Sequence, residues 1–400
     1  MKSNRVASRL IQFALLLGGL FGVAWCHHQQ NLGPAKNEIL IRVLLHEVDL
    51  HQTLPFEITG PWTCRSSNDQ PLHEGNGFDG IIKLEVTGLT IGPWVFHQSE
   101  VQLQTAGDDA LRLNHHGYQG RIIFQTQRPS PSGIPSKLLC FLELPLEEYV
   151  LGVVCGEMPT SAKNIQAALE AQAIATRSYA IYRIQESRPW LYADTRDQRF
   201  YGTDFETKAA RLAVQQTASL ILADPDGWVP GWFHSQCGGH TANAFDAGFL
   251  RTSRPCLEGI ADPDCAQSRG WTHKVEAKTL DAFAAERGIG RWIRHLEPDQ
   301  KDAAGRWTKV LVEGSRAEGL FTGEAMRSAL GTPSQAWQSL RAESDGGLLI
   351  TGSGFGHGVG LCQQGALRLA RQGNSAADIL NFYYPDTFLK AVPPLDMTLP

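Results

Sequence analysis

Short segments rich in β-branched and aromatic residues fill the chain from about residue 31 to residue 137. Five of them show partial alternation of apolar and polar positions, which is typical of strands with one buried face. They are EILIRVLL (38–45), IIKLEVTG (81–88), WVFHQSEVQLQT (94–105), ALRLN (110–114) and GRIIFQT (120–126). Turn signals at Asn76-Gly77 and Gly107–Asp109 separate them, and the proline-rich RPSPSGIPS (128–136) predicts a boundary.

Helical periodicity follows this region. In PLEEYVLGVVCG, apolar residues recur at three- and four-residue spacing, Pro145 suits the first helical position, and Gly156 suits the end. A second apolar stripe predicts a helix over about 161–186. Glu157 is therefore expected on the connection between two packed helices, just before Met158, which the following proline biases to extended geometry.

Glycine occupies every even position from Gly352 to Gly360, in the stretch GSGFGHGVG. An extended backbone would leave one face bare, place His357 on the other, and permit the close approach of a ligand. No G-x-G-x-x-G register fits, which argues against a nucleotide site. Two helices are predicted next, LCQQGALRLARQG and then SAADILNFYYP, whose Ser375 and Asp378 suit a capping box.

The pattern as a whole predicts an α+β fold, a mixed β-rich domain with packed helices flanking a substrate groove. We expect an N-terminal segment at 1–30, a β-rich region at 31–137 and a core at 138–392. With 42% hydrophobic and 19% charged residues, the chain is typical of a globular protein. Its formal net charge of −5 does not favour binding of a negatively charged phosphate backbone, so nucleic acid is excluded as a main partner.

The first residues predict export. Lys2, Arg5 and Arg9 precede an apolar run that ends near Trp25 and is interrupted only by Gln12, as in a secretory signal. A cleaved signal and a retained membrane anchor both fit, since the run is slightly short for a membrane span. Lipidation at Cys26 is disfavoured because Trp25 stands where a lipoprotein signal has a small residue.

Eight cysteines are spread along the chain, and three of them, Cys237, Cys256 and Cys265, lie close in sequence. His234 and His240 flank the first in FHSQCGGH, which resembles half of a zinc site without a clean Cys-x2-Cys partner. Three alternatives stay open for this group: a structural zinc ion, a disulfide, or free buried thiols.

Glu157 and His357 are the candidate chemical residues. Glu157 is either a solvated glutamate or a general acid whose protonated form burial in a cleft would favour. His357 is either a satisfied core histidine or a residue that projects from the glycine segment into a site. The residues alone do not choose between these alternatives.

Five blocks of the sequence together resemble one family. They are LPLEEYVLGVVCGEMP, AALEAQAIATRSYA, DTRDQRFYG, FHSQCGGHTANA and GSGFGHGVGLCQQGALRLARQG with ILNFYYPDT. In this order they are similar to the SpoIID/LytB family, the stage II sporulation protein D type, over roughly residues 115–390.

The resemblance implies cell-wall chemistry. Members similar to this chain are lytic transglycosylases, which cut peptidoglycan glycan strands and leave 1,6-anhydro-muramic ends. The family's catalytic glutamate falls in the block that matches GEMP, so the resemblance implies Glu157 as the single acid/base. Further residues in matching blocks are expected to bind substrate: Arg177, Tyr179, Gln198, Tyr201, His240, His357 and Gln363. For Arg177 the alternative is an arginine that pairs with a carboxylate to hold the fold.

No cofactor is expected to be required. Zinc, present in some members, would use His234, Cys237 and Cys265 here as a structural site. The expected partners are peptidoglycan glycan strands and a cell-wall amidase. Because some members enhance an autolytic amidase, the rival interpretation is a non-catalytic, wall-binding modulator.

Two departures from the family pattern raise other enzyme classes. Cys155 and Cys362 stand where small residues or serine are expected, and either could form a cysteine-protease pair with His357, although no spacing signature supports it. The support for a metalloprotease is weaker still, because the histidine after His46-Glu47 is His51, one position later than an H-E-x-x-H motif requires.

Overall fold

The computed structural model describes residues 38–105, 111–127, 136–186, 188–267 and 270–392. These residues combine strands and helices, which confirms the α+β prediction. No helix in these ranges has the length and hydropathy needed to span a membrane. The predicted export segment, 1–30, lies outside the described residues.

A large sheet dominates the first part of the chain. Its strands are β1 (Leu40–Asp49), β2 (Thr53–Ser66), β3 (Pro71–Glu85), β4 (Gly88–Ile91), β5 (Trp94–Phe96), β6 (Glu100–Thr105), β7 (Leu111–Leu113), β8 (His116–Tyr118), β9 (Arg121–Gln127), β10 (Lys137–Pro145) and β11 (Leu191–Tyr192). The order is β11-β1-β10-β9-β6-β2-β3-β4-β5, with β7 and β8 branching from β2. Its pairs are antiparallel except that β11 runs parallel to β1.

The prediction of a turn at Asn76-Gly77 was wrong. Both residues lie inside β3, and Asn76 pairs with Pro61 of β2 after a register shift. Gly60 and Gly77 have φ values of 82° and 74° at this irregularity, so the signal marks a bulge rather than a chain reversal. The other two signals, at Gly107–Asp109 and in 128–135 of RPSPSGIPS, fall outside the described residues.

The helices that follow are α1 (Leu146–Glu157), α2 (Gln166–Gln185), α3 (Lys208–Gln216), α4 (Ala277–Glu286), α5 (Gly323–Leu330), α6 (Gln363–Arg371) and α7 (Ala376–Tyr383). The remaining strands are β12 (Leu220–Asp224), β13 (Gly227–Trp228), β14 (Phe233–His234), β15 (Trp271–Val275), β16 (Ile293–Lys301), β17 (Trp307–Gly314), β18 (Glu318–Thr322), β19 (Trp337–Ala342), β20 (Leu348–Gly352), β21 (Leu361–Cys362) and β22 (Phe388–Ala391). Short 3₁₀ turns span Pro255–Leu257 and Pro263–Gln267.

Helix α1 continues one residue further than predicted. Glu157 is its last residue, so Gly156 does not stop it, and Met158 caps it in extended geometry as the following proline requires. The glycine serves close packing instead: a Cβ on Gly156 would lie 2.5 Å from the carbonyl oxygen of Arg199. The capping box of Ser375 and Asp378 is confirmed at the start of α7.

Two large hydrophobic cores and one small cluster, formed by Leu44, Ile123, Leu139 and Phe141, lie within the described residues. The larger core joins the big sheet to α1, α2, α3, α6 and α7, and the smaller core joins β15–β20 to α4 and α5. Strand β10 begins at Lys137 and pairs with both β1 and β9, so one sheet runs through the predicted boundary between 137 and 138. The division into regions at that position stays a prediction.

The glycine segment is not extended, so that prediction was wrong. Gly354, Gly356, Gly358 and Gly360 have φ values of 72°, 90°, 87° and 71°, which makes the segment a series of turns. Neighbouring groups also exclude a side chain there, since a Cβ on Gly360 would lie 2.1 Å from the carbonyl oxygen of Trp232. Glycine is needed at these alternate positions because their φ values are positive, not because one face of a strand must be bare.

Candidate active site

Glu157 lies half-buried at the carboxyl end of α1. Its Oε1 accepts a hydrogen bond of 2.9 Å from the main-chain N–H of Arg199, and its Oε2 accepts one of 3.3 Å from Nε2 of Gln363. No lysine, arginine or histidine of the described ranges forms an ion pair with it. A partly buried carboxylate that relies on neutral donors is unusual in a purely structural role, where buried charges are normally paired.

A chain of amides leads from Glu157 into the interior. Gln363, the first residue of α6, also donates from Nε2 to Oε1 of Gln172 at 3.4 Å, and Gln172 donates to Oγ1 of Thr176 at 3.2 Å. Gln172 and Thr176 are fully buried on α2. The Gln363 amide is therefore held between Glu157 at the end of α1 and Gln172 on α2. Sequence analysis missed Gln172, although a glutamine on an apolar helical stripe was a usable signal.

The loop before α3 forms the other side of the site. Gln198 accepts a hydrogen bond of 3.0 Å from the hydroxyl of Tyr149, and its buried Nε2 has no partner among the described residues. The ring of Phe200 stacks on Tyr149, and it packs so close to α1 that a Cβ on Gly152 would lie 2.4 Å from it. These contacts hold the Arg199 N–H in place against Glu157.

The predicted tyrosines occupy different environments. Tyr179 is buried and donates its hydroxyl to Asp197, which is also bound by Arg188, and burial raises the pKa of Tyr179. Tyr201 is 39% exposed, and its ring lies parallel to that of His116. Tyr201 is therefore accessible to a ligand, whereas Tyr179 supports the loop.

The structure does not place Arg177 on a surface. Its side chain is fully buried and binds Glu147 through two nitrogens, at 2.9 and 2.6 Å, and the Leu220 carbonyl at 2.9 Å. Those contacts correct the expectation that Arg177 touches substrate. They match the alternative, an arginine that pairs with a carboxylate to hold α1, α2 and β12 together.

His357 and His234 face each other at the glycine segment, with ring centroids 5.8 Å apart. The Val359 N–H donates to Nδ1 of His357, and burial, with Arg327 and Arg306 nearby, lowers the pKa of His357 to about 3. His234 donates through Nδ1 to the Val359 carbonyl, and burial lowers its pKa too. Both imidazoles are therefore neutral at physiological pH.

Arg306 organises the same segment from the smaller core. This buried arginine donates to the carbonyls of Gly356 and Cys237 at 3.1 and 2.9 Å. A Cβ on Gly358 would lie 2.4 Å from its Nε. Arg306 was not singled out in the sequence, because nothing local indicates that residue 306 reaches the glycine segment.

The cysteine group differs from the predicted one. Cys237, Asp262, Cys265 and Cys362 bring their ligand atoms within 4.8 Å of one another. His234 is not a member, which corrects that part of the prediction: its Nδ1 is satisfied by Val359 and its ring faces His357. Sequence analysis missed Asp262 and Cys362 as members.

Cys256 and His240 also lie apart from this group. The Cys256 thiol donates to Asp224 at 3.3 Å, and Nδ1 of His240 bonds the Thr241 carbonyl at 2.7 Å. All cysteines of the described ranges are free thiols. Hydrogen bonds from Cys237 and Cys362 lower the pKa of Cys265.

The cysteine-protease alternative finds no support. Burial raises the pKa of Cys155 to about 11, which leaves too little thiolate for a nucleophile at neutral pH. Cys362 caps α6 and bonds within the cysteine group rather than to His357. The chemistry of the site therefore centres on one carboxylate among amides, a pattern suited to acid/base work on a neutral, hydroxyl-rich ligand.

Comparison with known proteins finds one matching family model and several relatives. A sequence model of the SpoIID family, described as Stage II sporulation protein, matches residues 136–223. An uncharacterised protein of Brachyspira hyodysenteriae is 27% identical over 361 residues, 87% of this chain and 92% of that relative. Stage II sporulation protein D of Bacillus subtilis is 28% identical over 293 residues, 66% of this chain and 80% of that relative.

A further relative is the amidase enhancer of Bacillus subtilis, 26% identical over 60% of this chain and 40% of that relative. The predicted resemblance to the SpoIID family is confirmed by the family model over residues 136–223 and by the relative named Stage II sporulation protein D.

Proposed function

We propose that this protein is an exported lytic transglycosylase that cuts peptidoglycan glycan strands, with Glu157 as its single acid/base. The observation that carries the proposal is the environment of Glu157: half-buried, held by an amide and a main-chain N–H, and with no ion-pair partner within the described residues. The two neutral donors fix the direction of a carboxylate that no ion pair occupies, so its oxygens are positioned for proton exchange with a substrate.

The proposed reaction balances without water or metal. Protonated Glu157 gives its proton to the oxygen that links muramic acid to the next sugar, and the bond from the muramic C1 to that oxygen breaks. The C6 hydroxyl of the same muramic acid then attacks C1, and ionised Glu157 accepts the hydroxyl proton. A 1,6-anhydro ring forms and the acid is regenerated.

One carboxylate suffices for this route. A glycosidase needs a second carboxylate to act as nucleophile or to activate water. Here the nucleophile is part of the substrate, and a held intramolecular group gains a large effective molarity. The polar partners bonded to Glu157 are neutral, so they orient it in both protonation states. General acid/base catalysis by such a group contributes roughly 10²–10⁴-fold.

Neighbouring residues would orient the glycan. Gln363 fixes one oxygen of Glu157, and the Arg199 N–H fixes the other. The exposed ring of Tyr201, two residues beyond Arg199, offers a flat apolar face for a sugar ring. The proposed location is the cell envelope, reached through the segment at 1–30.

The test is incubation of bare glycan strands with the purified protein, its Glu157→Gln variant and a matched Glu148→Gln variant, followed by mass spectrometry. Glu148 is also half-buried on α1 but forms an ion pair with Arg211 at 3.5 Å. Products should form with the unmutated protein and Glu148→Gln, and not with Glu157→Gln. Equal products from all three proteins would reject Glu157 as the acid.

A second candidate is a non-catalytic modulator of a cell-wall amidase, which the amidase enhancer among the relatives favours. In that case the unmutated protein and Glu157→Gln would bind strands equally, yield no products, and stimulate a purified amidase to the same extent. The same incubations with and without the amidase separate the two candidates.

A further inference from the structure

We propose that two adjoining turns beside the smaller core form a docking surface for a membrane rich in anionic lipid. The first turn, 287–294, runs from the end of α4 into β16, and the second, 314–317, joins β17 to β18. Together they are called the arginine tip here. Docking would hold the protein against the membrane that it crosses in the proposed export. The inference does not depend on the proposed reaction, because lipid binding is measured without glycan.

The arginine tip is positively charged in a protein whose net charge is negative. Residues 286–294 and 314–317 contain four arginines and a single acidic residue, so their formal charge is +3. The whole chain carries −5. An anionic surface would therefore repel the molecule as a whole and attract it at the tip, which orients the protein as it approaches.

The four arginines of the tip are exposed, and most of them are unpaired. Within the described ranges, Arg291, Arg294 and Arg316 form no ion pair with a carboxylate. Arg287 has only Glu286, which is 71% exposed and lies 3.5 Å away. A guanidinium presents its N–H donors in a planar fork that matches the oxygens of a phosphate group. Several free guanidinium groups in one place therefore suit phosphate head groups.

Hydrogen bonds between the two turns hold the tip together. Nη2 of Arg294 and the main-chain N–H of Arg291 donate to the carbonyl oxygen and to Oγ of Ser315, at 2.9 and 2.8 Å. The Ser315 N–H in turn donates to the Trp292 carbonyl at 2.9 Å. Gly290 allows this close approach, since a Cβ there would lie 2.3 Å from Oγ of Ser315. The main chain that carries the arginines is thus already ordered, which reduces the entropy lost on docking.

Trp292 favours a lipid surface over a soluble anion. It lies directly after Arg291 in the chain and is 52% exposed. Tryptophan is enriched at the boundary between water and hydrocarbon, where its ring is in an apolar setting and its N–H reaches water. Basic residues around an exposed aromatic ring are typical of segments that lie on a membrane surface. A soluble polyphosphate would engage the arginines alone, whereas a bilayer engages both the arginines and the tryptophan.

The expected binding is moderate and depends on salt. Each arginine near an anionic lipid surface strengthens binding about fivefold, so two arginines contribute about 25-fold. Salt shortens the range of this attraction from about 10 Å at 0.1 M to about 3 Å at 1 M. The contribution of the Trp292 ring is apolar and should persist at high salt.

The experiment measures partition of the full-length protein onto vesicles of phosphatidylglycerol with phosphatidylcholine, and onto phosphatidylcholine alone. The segment at 1–30 is the same in every variant, so differences between variants report on the substituted residues. Arg291→Gln combined with Arg316→Gln should weaken binding to the anionic vesicles about 25-fold at about 0.1 M salt. The control pair, Arg251→Gln with Arg371→Gln, removes the same charge from exposed arginines outside the tip and should leave binding nearly unchanged.

A footprint of the unmutated protein identifies the surface directly, even where the segment at 1–30 also binds lipid. Arginines are modified with phenylglyoxal in the presence and absence of vesicles and located by mass spectrometry. We expect anionic vesicles to slow modification of Arg291 and Arg316 several-fold and to leave Arg251 and Arg371 as reactive as in solution. Vesicles of phosphatidylcholine alone should protect none of the four.

Three results of the footprint would overturn the proposal. Equal reactivity of Arg291 and Arg316 with and without anionic vesicles would show that the tip does not contact lipid. Equal protection of Arg251, Arg371 and the two tip arginines would show contact without a defined surface. Protection of the tip by soluble polyphosphate but not by anionic vesicles would assign it to a soluble polyanion. Because the footprint uses the unmutated protein, a variant that fails to fold does not affect the decision.

Discussion

Replacing Arg177 with methionine should destabilise the protein without altering its chemistry. The guanidinium is completely buried and makes two hydrogen bonds to Glu147 and one to the Leu220 carbonyl. Methionine keeps most of the side-chain volume, so packing of α2 against its neighbours is largely retained. What is lost is the charged link between α2, α1 and β12.

The magnitude follows from those contacts. Removing one partner of a buried ion pair costs about 3–5 kcal/mol because the other charge is left uncompensated. Glu147 is 36% exposed and can recover water, so the lower end applies and we expect a loss of about 3 kcal/mol in the free energy of unfolding. That corresponds to roughly a hundredfold change in the unfolding equilibrium constant.

Urea unfolding of the unmutated protein, Arg177→Met and Arg183→Met measures this effect. Arg183 is on the same helix and pairs with the exposed Glu186 and, at 3.8 Å, with Asp197. Because Arg188 still pairs with Asp197 at 2.8 Å, replacing Arg183 leaves no buried charge unpaired and should cost only about 1 kcal/mol. The affinity of Arg177→Met for glycan strands, measured under conditions in which the variant is folded, should equal that of the unmutated protein. Unchanged stability combined with weaker binding of glycan strands would refute the structural role of Arg177.

Three further predictions concern the site and its surroundings. Gln363→Leu should lower kcat about fivefold, because loss of one hydrogen bond to Glu157 costs roughly 1 kcal/mol of positioning, and Gln363→Glu should not rescue it. Unchanged kinetics would exclude a positioning role. Gly365→Ala should lower the melting temperature by several degrees, because its Cβ would collide with the Tyr383 hydroxyl and with Oδ2 of Asp262. An unchanged melting temperature would contradict that packing. His357 has a pKa of about 3 in the folded state and binds a proton more readily in the unfolded state, so the free energy of unfolding should fall as the pH drops from about 6.5 towards 3. This one group contributes a slope of at most about 1.4 kcal/mol per pH unit. In urea unfolding at several pH values, His357→Gln should reduce the slope, and an unchanged slope would contradict the low pKa of His357.

The sequence predicted elements whose signals are local. The capping box at Ser375 and Asp378, the helix after Pro145 and the α+β class all depend on neighbouring residues, and each is confirmed. Strand β2 was not predicted from the sequence because it contains Pro55 and Pro61, and prolines are usually absent from central strands. A register shift between Ile58 and Pro61 accommodates Pro61, and only the pairing with β3 reveals it.

The site was predictable only where one residue stood out against its local pattern. Glu157 stood out in this way, and its role stays a prediction; the contacts of Arg177 and His234 depend on partners far away in sequence. The glycine segment was predicted to be extended but forms turns, because alternating glycines are compatible both with an extended strand and with turns of positive φ. Cys362 and Asp262 join Cys237 only through tertiary packing.

The central claim is that Glu157 serves an intramolecular attack in which water takes no part. Its most direct test is digestion of bare glycan strands by the unmutated protein in water enriched with heavy oxygen, with mass spectrometry of the new muramic ends. We expect the new muramic ends to be anhydro ends, one water molecule lighter than reducing ends and without heavy oxygen. Glu157→Gln should produce no such ends. New reducing ends that carry heavy oxygen would show hydrolysis instead and contradict the single-acid mechanism.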